Sequence, residues 1–265
     1  MSLRKFLKFR DERDTPKPFL DHVEDLRGMA VRMAAVLGVC MLAAFVFRTE
    51  IASFVQAPLL AVDPTRVDNL QSLGVADSMT ISLKLSFYSG LVLSFPVLLY
   101  FLAEFIFPAL TGAERRVVIG AAAVGFALFL LGASFAFFVV LPAALEFFFQ
   151  DAQAMQWRPT WTVGEYYSFA TQFTLAFGLA FELPVVVLAL VKVGLLEHEQ
   201  MLLTRPYAIV VICLLAAVIT PTTDIFTLLL MAGPMVLLYE ACIWIARWME
   251  RRDEVSGPPA GESQA

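Results

Sequence analysis

The chain is 265 residues long, 59% apolar and only 16% charged, with a net charge of −5 and a mean hydropathy of +0.75. Water-soluble domains average about 45–50% apolar and about 25% charged residues, so this composition excludes a disordered chain, a coiled coil and an ordinary soluble enzyme. The acidic balance excludes a nucleic-acid partner, which requires clustered Lys and Arg, and leaves an all-α integral membrane protein.

Residues 1–27 are polar and mixed in charge. They lack the apolar core and small-residue cleavage site of a secretory signal peptide and read as a cytoplasmic N-terminal segment. A spanning helix needs about 20 apolar residues to cross roughly 30 Å of hydrocarbon. The pattern predicts spans at about Gly28–Phe47, Met79–Leu102, Val117–Leu141 and Tyr166–Val191. Arg32 and Lys84 lie near span ends, where long side chains reach the interface. The third span carries no charge, and the fourth contains Glu182 followed by Pro184.

The apolar stretch from Tyr207 to Ala246 is too long for one crossing and is interrupted by Thr220-Pro221-Thr222-Thr223-Asp224, a run with turn chemistry. It divides into short fifth and sixth spans, Tyr207–Ile219 and Ile225–Ala246, joined by a tight outer hairpin. The thirteen residues of the fifth rise only about 20 Å as a helix. The expected organisation is a six-helix transmembrane domain over 28–246 and a cytoplasmic, partly disordered tail over 247–265. Between the spans, Ile51–Leu60 and Leu141–Phe149 read as short interfacial helices in the outer loops.

Basic residues set the orientation. With both termini inside, fourteen of the 19 Lys and Arg fall in inner segments and three, Arg48, Arg66 and Arg158, in outer ones. The chain shows no phosphate-binding glycine loop and no metal or nucleophile constellation. His22 and His198 lie far apart in polar segments, and Cys40, Cys213 and Cys242 sit inside apolar runs as small core residues. No cofactor, metal or enzymatic activity is implied.

Acidic residues stand out instead. An ionised carboxylate at mid-bilayer costs at least a few kcal/mol, so Glu182 either faces a cavity, partner or transport path or is a protonated group bonded to a neighbouring helix. Glu240, nearer an interface, favours a structural role. Glu24 and Asp25 precede the first span, and Glu114 follows the apolar aromatic loop Phe105–Leu110. Acids beside apolar surface suit a basic, apolar peptide, and they equally suit a solvated face with local ion pairs.

Read together, Phe19-Leu20-x-His22-x-x-Asp25-Leu26-Arg27, Ala57-Pro58-Leu59, Phe95-Pro96, Phe105-x-x-Pro108-Ala109-Leu110-x-x-x-Glu114-Arg115-Arg116, Phe181-Glu182-Leu183-Pro184, Arg205-Pro206-Tyr207, Thr220-Pro221-x-x-Asp224 and Leu238-Tyr239-Glu240 resemble the TatC family. That family is the polytopic core of the twin-arginine protein translocase. The resemblance implies a signal-peptide receptor in the bacterial cytoplasmic membrane, homo-oligomeric within its complex. With single-span TatA-type and TatB-type partners it would export folded proteins on the proton-motive force. By the same resemblance Asp25 and Glu114, with Glu24, Phe105 and Pro108, form the signal-peptide site. Glu182 contacts partner helices, and Asp224 is an outer-hairpin acid. Two departures stand out: Met29 replaces the second Arg of the family's Glu-Leu-Arg-x-Arg, and Ala103 replaces a Trp. The rival expectation is a proton-coupled small-molecule transporter using Glu182, although no inverted pair of broken helices supports it.

Overall fold

The computed structural model describes residues 19–62, 70–106, 112–157, 160–192, 194–220, 222 and 224–256, with side-chain surroundings for all of these except 19–22, 106, 112–117 and 251–256. In chain order the helices are α1 (Phe19–Val46), α2 (Arg48–Val55), α3 (Ala57–Val62), α4 (Asp77–Ile106), α5 (Gly112–Phe135), α6 (Leu141–Ala154), α7 (Val163–Ala180), α8 (Leu183–Lys192), α9 (His198–Ile219) and α10 (Ile225–Ser256). A π-helical turn, Ala136–Val140, joins α5 to α6 without a break. Among the described residues six helical stretches are long and apolar enough to span a membrane: Val23–Val46, Asp77–Phe105, Val118–Ala154, Val163–Lys192, His198–Ile219 and Ile225–Glu250. Helices are the expected solution, because lipid offers backbone N–H and C=O groups no partners outside the chain.

Helices outrun the apolar stretches that predicted them. α1 begins nine residues before Gly28 and crosses residue 27 unbroken, and α10 continues to Ser256. The short apolar stretch at Tyr207 belongs to a 22-residue helix that starts at His198 and carries Pro206 inside, about 33 Å of rise. The reason is the same at each end: hydropathy marks only the lipid-embedded part of a helix, while backbone hydrogen bonding continues into polar turns.

The chain divides into two compact units, residues 1–127 with 152–171, and residues 128–151 with 172–265. In the first, α1 packs antiparallel against α4. Gly90 makes this possible, since a Cβ there would lie 2.8 Å from the Met41 Cα and backbone N. With no hydrophobic force between helices in lipid, such close backbone approach is what binds them. The short helices α2 and α3 bury Val55, Pro58 and Leu59 and are tied to the start of α7. Tyr166 Oη donates to the Val55 carbonyl at 2.6 Å, and Gln56 Nε2 donates to Tyr167 Oη at 2.6 Å. Gln71 adds a two-residue parallel bridge beside Thr162, with N–H to the Trp161 carbonyl at 3.1 Å.

The second unit is built on phenylalanine. Phe129, Phe173 and Phe177 are fully buried, with Phe173 and Phe177 centroids 5.0 Å apart. Gly132 leaves the space that Phe181 fills: a Cβ there would come within 2.5 Å of its ring. Farther along, Val191, Met201, Cys242, Ile243 and Ala246 form a second buried cluster where α8, α9 and α10 meet. α8 ends in a Schellman turn, with Gly194 at φ +77° and the Leu195 N–H on the Leu190 carbonyl at 3.0 Å. Only glycine takes that left-handed position without strain.

Candidate functional site

The face of α1 turned into the protein is a stripe at helical spacing, Asp25, Met29, Met33, Val36, Cys40 and Ala44, each buried or half-buried. Its main neighbour is α4. The stripe separates two acids that sequence leaves equivalent: Asp25 lies on the packed face, whereas Glu24 and Arg27 are exposed. Met29 is itself buried, at 8% exposure, which accounts for an unbranched apolar side chain at that position. One turn later Arg32 leaves the stripe's edge and crosses to α4. Its Nη1 lies 3.2 Å from Glu104 Oε2, its Nε donates to the Gly28 carbonyl at 3.4 Å, and its guanidinium lies 5.2 Å from the Phe101 ring centre.

Beside Glu104, Phe105 is half-buried and Ala103 is buried. The Ala103 site is thus closed by neighbours and filled by a methyl group. Glu114 lies in the first turn of α5, where the positive end of the helix dipole favours a carboxylate; its side chain, like Pro108, lies outside the described residues. The first unit therefore holds Asp25, Phe105 and the backbone of Glu114, and adds Arg32 and Glu104 to them. Sequence reasoning passed over Glu104 because the apolar count closed the second span at Leu102 and left the acid in a loop. The available signal was the pairing of one acid and one base at the matching ends of two neighbouring spans.

The fourth span is broken where Glu182 sits. Pro184 has no N–H to return to the Ala180 carbonyl, and α7 stops at Ala180, with α8 restarting at Leu183. The Val185 and Val186 N–H groups both donate to the Glu182 carbonyl, at 3.0 and 3.2 Å. Its side-chain Oε1 is buried without a hydrogen-bond partner among the described residues, as is Thr174 Oγ1 two turns earlier. The bond to a neighbouring helix that one sequence reading allowed is not formed by this oxygen. An unsatisfied buried carboxyl oxygen is costly, and in lipid that cost is relieved when a partner supplies a donor.

The remaining two candidate acids, Asp224 and Glu240, make contacts within the fold. Asp224 precedes α10 and caps it: Oδ1 accepts the Thr227 N–H at 2.8 Å and Oδ2 the Thr227 hydroxyl at 2.5 Å. Burial pushes this carboxyl up, but the hydrogen bonds from Thr227 and Thr222 outweigh it and hold the pKa below the usual aspartate value. Glu240 on α10 pairs with Arg205 on α9. His198, at the start of α9, donates its N–H to Glu250 Oε1 at 2.8 Å and sets its imidazole on the same carboxylate. Among the described residues no three of His, Cys, Asp and Glu converge to hold a metal, and the three cysteines are free thiols.

Residues 21–234 match the family model described as Sec-independent protein translocase protein (TatC). The chain is 52% identical over 180 residues to the TatC protein of Akkermansia muciniphila, a match covering 68% of this chain and 51% of that protein, about half its length. It is 32% identical over 240 residues to that of Carboxydothermus hydrogenoformans, covering 91% and 97%. With the chloroplastic TATC of Arabidopsis thaliana it shares 34% identity over 253 residues, covering 93% and 72%. A crystal structure of a twin-arginine translocase receptor, TatC, superposes with a TM-score of 0.76 at 34% identity, covering 86% of this chain and 98% of that one.

Proposed function

The chain belongs to the TatC family of Sec-independent protein translocase proteins, and from that membership we propose that it is the receptor subunit of a twin-arginine translocase. The observation that carries the reading is the family match over residues 21–234, joined to a fold that follows a solved receptor through nearly the whole of that receptor's length. Its work is recognition and translocation, without covalent chemistry.

In this reading both termini are cytoplasmic, supported by the fourteen-to-three distribution of basic residues, and the membrane is the bacterial cytoplasmic membrane. The inner ends of α1 and α4 with the start of α5 receive the paired arginines of a signal peptide. Asp25 and Glu114 are the principal acids, and Glu24 adds negative field from the exposed side. Phe105 and Pro108 shape the apolar approach. Guanidinium–carboxylate bonds are charge-assisted and bidentate, which favours arginine over lysine. Glu182, at a break in the fourth span with a buried oxygen in need of a donor, is the point at which a polar group of a TatA-type or TatB-type single-span helix is accepted. Asp224 and Glu240 keep the fifth and sixth spans in place. Folded cargo then crosses at the expense of the proton-motive force, about 2.3 kcal/mol per charge per 100 mV.

The test is complementation of a translocase-deficient strain, scored by export of a folded, paired-arginine substrate. Wild type restores export, and Glu114→Ala at equal membrane abundance abolishes both export and crosslinking of the signal peptide. Export that persists unchanged in Glu114→Ala ends this reading.

A further inference from the structure

We propose that Glu104 is a further arginine-binding acid of the signal-peptide site, and that Arg32 occupies it as an internal stand-in which the incoming peptide displaces. The inference rests on the reading of the α1–α4 end as that site, and three observations carry it.

First, the pair is built to exchange. Arg32 and Glu104 are 52% and 43% exposed toward the same end of the spans Val23–Val46 and Asp77–Phe105, where long side chains reach the interface and exposed ion pairs are weak. The Arg32 guanidinium gives one nitrogen to Glu104 and another to its own helix at Gly28, so the two-pronged geometry that makes arginine–carboxylate recognition strong is left for another guanidinium to complete.

Second, the position suits a ligand bearing two arginines. Neighbouring side chains of an extended peptide point to opposite sides, so adjacent arginines need two separated acids. Asp25 lies seven residues before Arg32 on α1, about 10 Å along the helix axis. Glu104 is brought to the Arg32 end of that stretch, with half-buried Phe105 next to it in the chain.

Third, the surroundings already accept a guanidinium. Arg32 lies over Phe101 at 5.2 Å, a cation–π contact that a displacing arginine inherits. A lysine ammonium gains less from both the ring and the carboxylate fork.

The experiment measures binding of a synthetic fluorescent paired-arginine signal peptide, and of the same peptide with both arginines changed to lysine, to the full chain in lipid nanodiscs. Wild type, Arg32→Gln, Glu104→Gln and Glu114→Ala are compared, with thermal melting read in parallel. Displacement requires opposite signs: Arg32→Gln tightens the paired-arginine peptide about two- to fivefold, and Glu104→Gln weakens it roughly tenfold. A pair that merely clamps α1 to α4 loses the same contact in either variant, so changes of the same sign, or none, overturn the proposal. If Glu104→Gln melts far below wild type, Arg32→Gln alone decides, since weakened or unchanged binding there contradicts displacement. Wild type that does not prefer arginine to lysine, or Glu114→Ala that binds normally, overturns the receptor reading itself. Normal arginine preference with same-sign variants overturns only the role of Glu104.

Discussion

Two antiparallel helix pairs in this protein, α1–α4 and α9–α10, each carry an arginine–glutamate bridge, and the bridges differ in kind. In α9–α10 the Arg205–Glu240 pair has company. Tyr239 donates to the Met201 carbonyl at 3.2 Å, His198 holds Glu250 with its backbone and its ring, and Asp224 caps α10 at the hairpin. In α1–α4 the helices are drawn together by a glycine, and the Arg32–Glu104 bridge is half exposed at both ends. Redundant ties make a scaffold, whereas a single half-exposed bridge is one that an incoming charged group can reach.

The comparison breaks most visibly at Gly90. Gly90→Leu pushes a side chain into the Met41 backbone and should cost about 3 kcal/mol by overpacking, read as a large fall in melting temperature in detergent. A leucine tolerated there would mean that α1 and α4 are held by something other than close approach. Next in size, Asp224→Ala removes the α10 cap, about 1 kcal/mol. Because the folded pKa of Asp224 is depressed, this contribution is full above the unfolded value of about 3.9 and is lost as pH falls through the lower folded one. The melting difference between wild type and Asp224→Ala should therefore be constant from pH 7 to 5 and shrink below about pH 4. Smallest is the contrast between the bridges. Glu240→Gln should cost up to about 1 kcal/mol and Arg32→Gln only a few tenths, so equal losses would erase the distinction between scaffold and exchange site.

Much of this was legible in the sequence, and what was not has physical causes. All six spans follow from apolar runs, and the Thr220–Asp224 interruption marks the last hairpin because proline and a capping aspartate sit together there. The break at Glu182 is announced by Pro184. Helix ends were not legible, since polar turns carry no hydropathy signal, and that error hid Glu104. Asp25 could not be told from Glu24 without the helical phase that puts it in line with Met29 and Met33. The π turn at Ala136–Val140 left no mark either: it falls in an unbroken apolar run, Phe135-Ala136-Phe137-Phe138-Val139-Val140, without glycine or proline.

That turn governs the rotational phase of everything after it. The buried positions Gly132, Ala136, Val140 and Ala144 succeed one another in steps of four. In a helix of 3.6 residues per turn, each such step advances about 40° too far. Three of them would wind the inward-facing row well round toward the outside. A single wider turn takes up the surplus at one place, so that Leu141, Ala144 and Leu145 remain inside. It also leaves Phe147 facing Phe226, their rings stacked 3.7 Å apart. The third span is thus two ordinary helices kept in step by one irregular turn, and its inward row stays in line because the backbone is locally unwound.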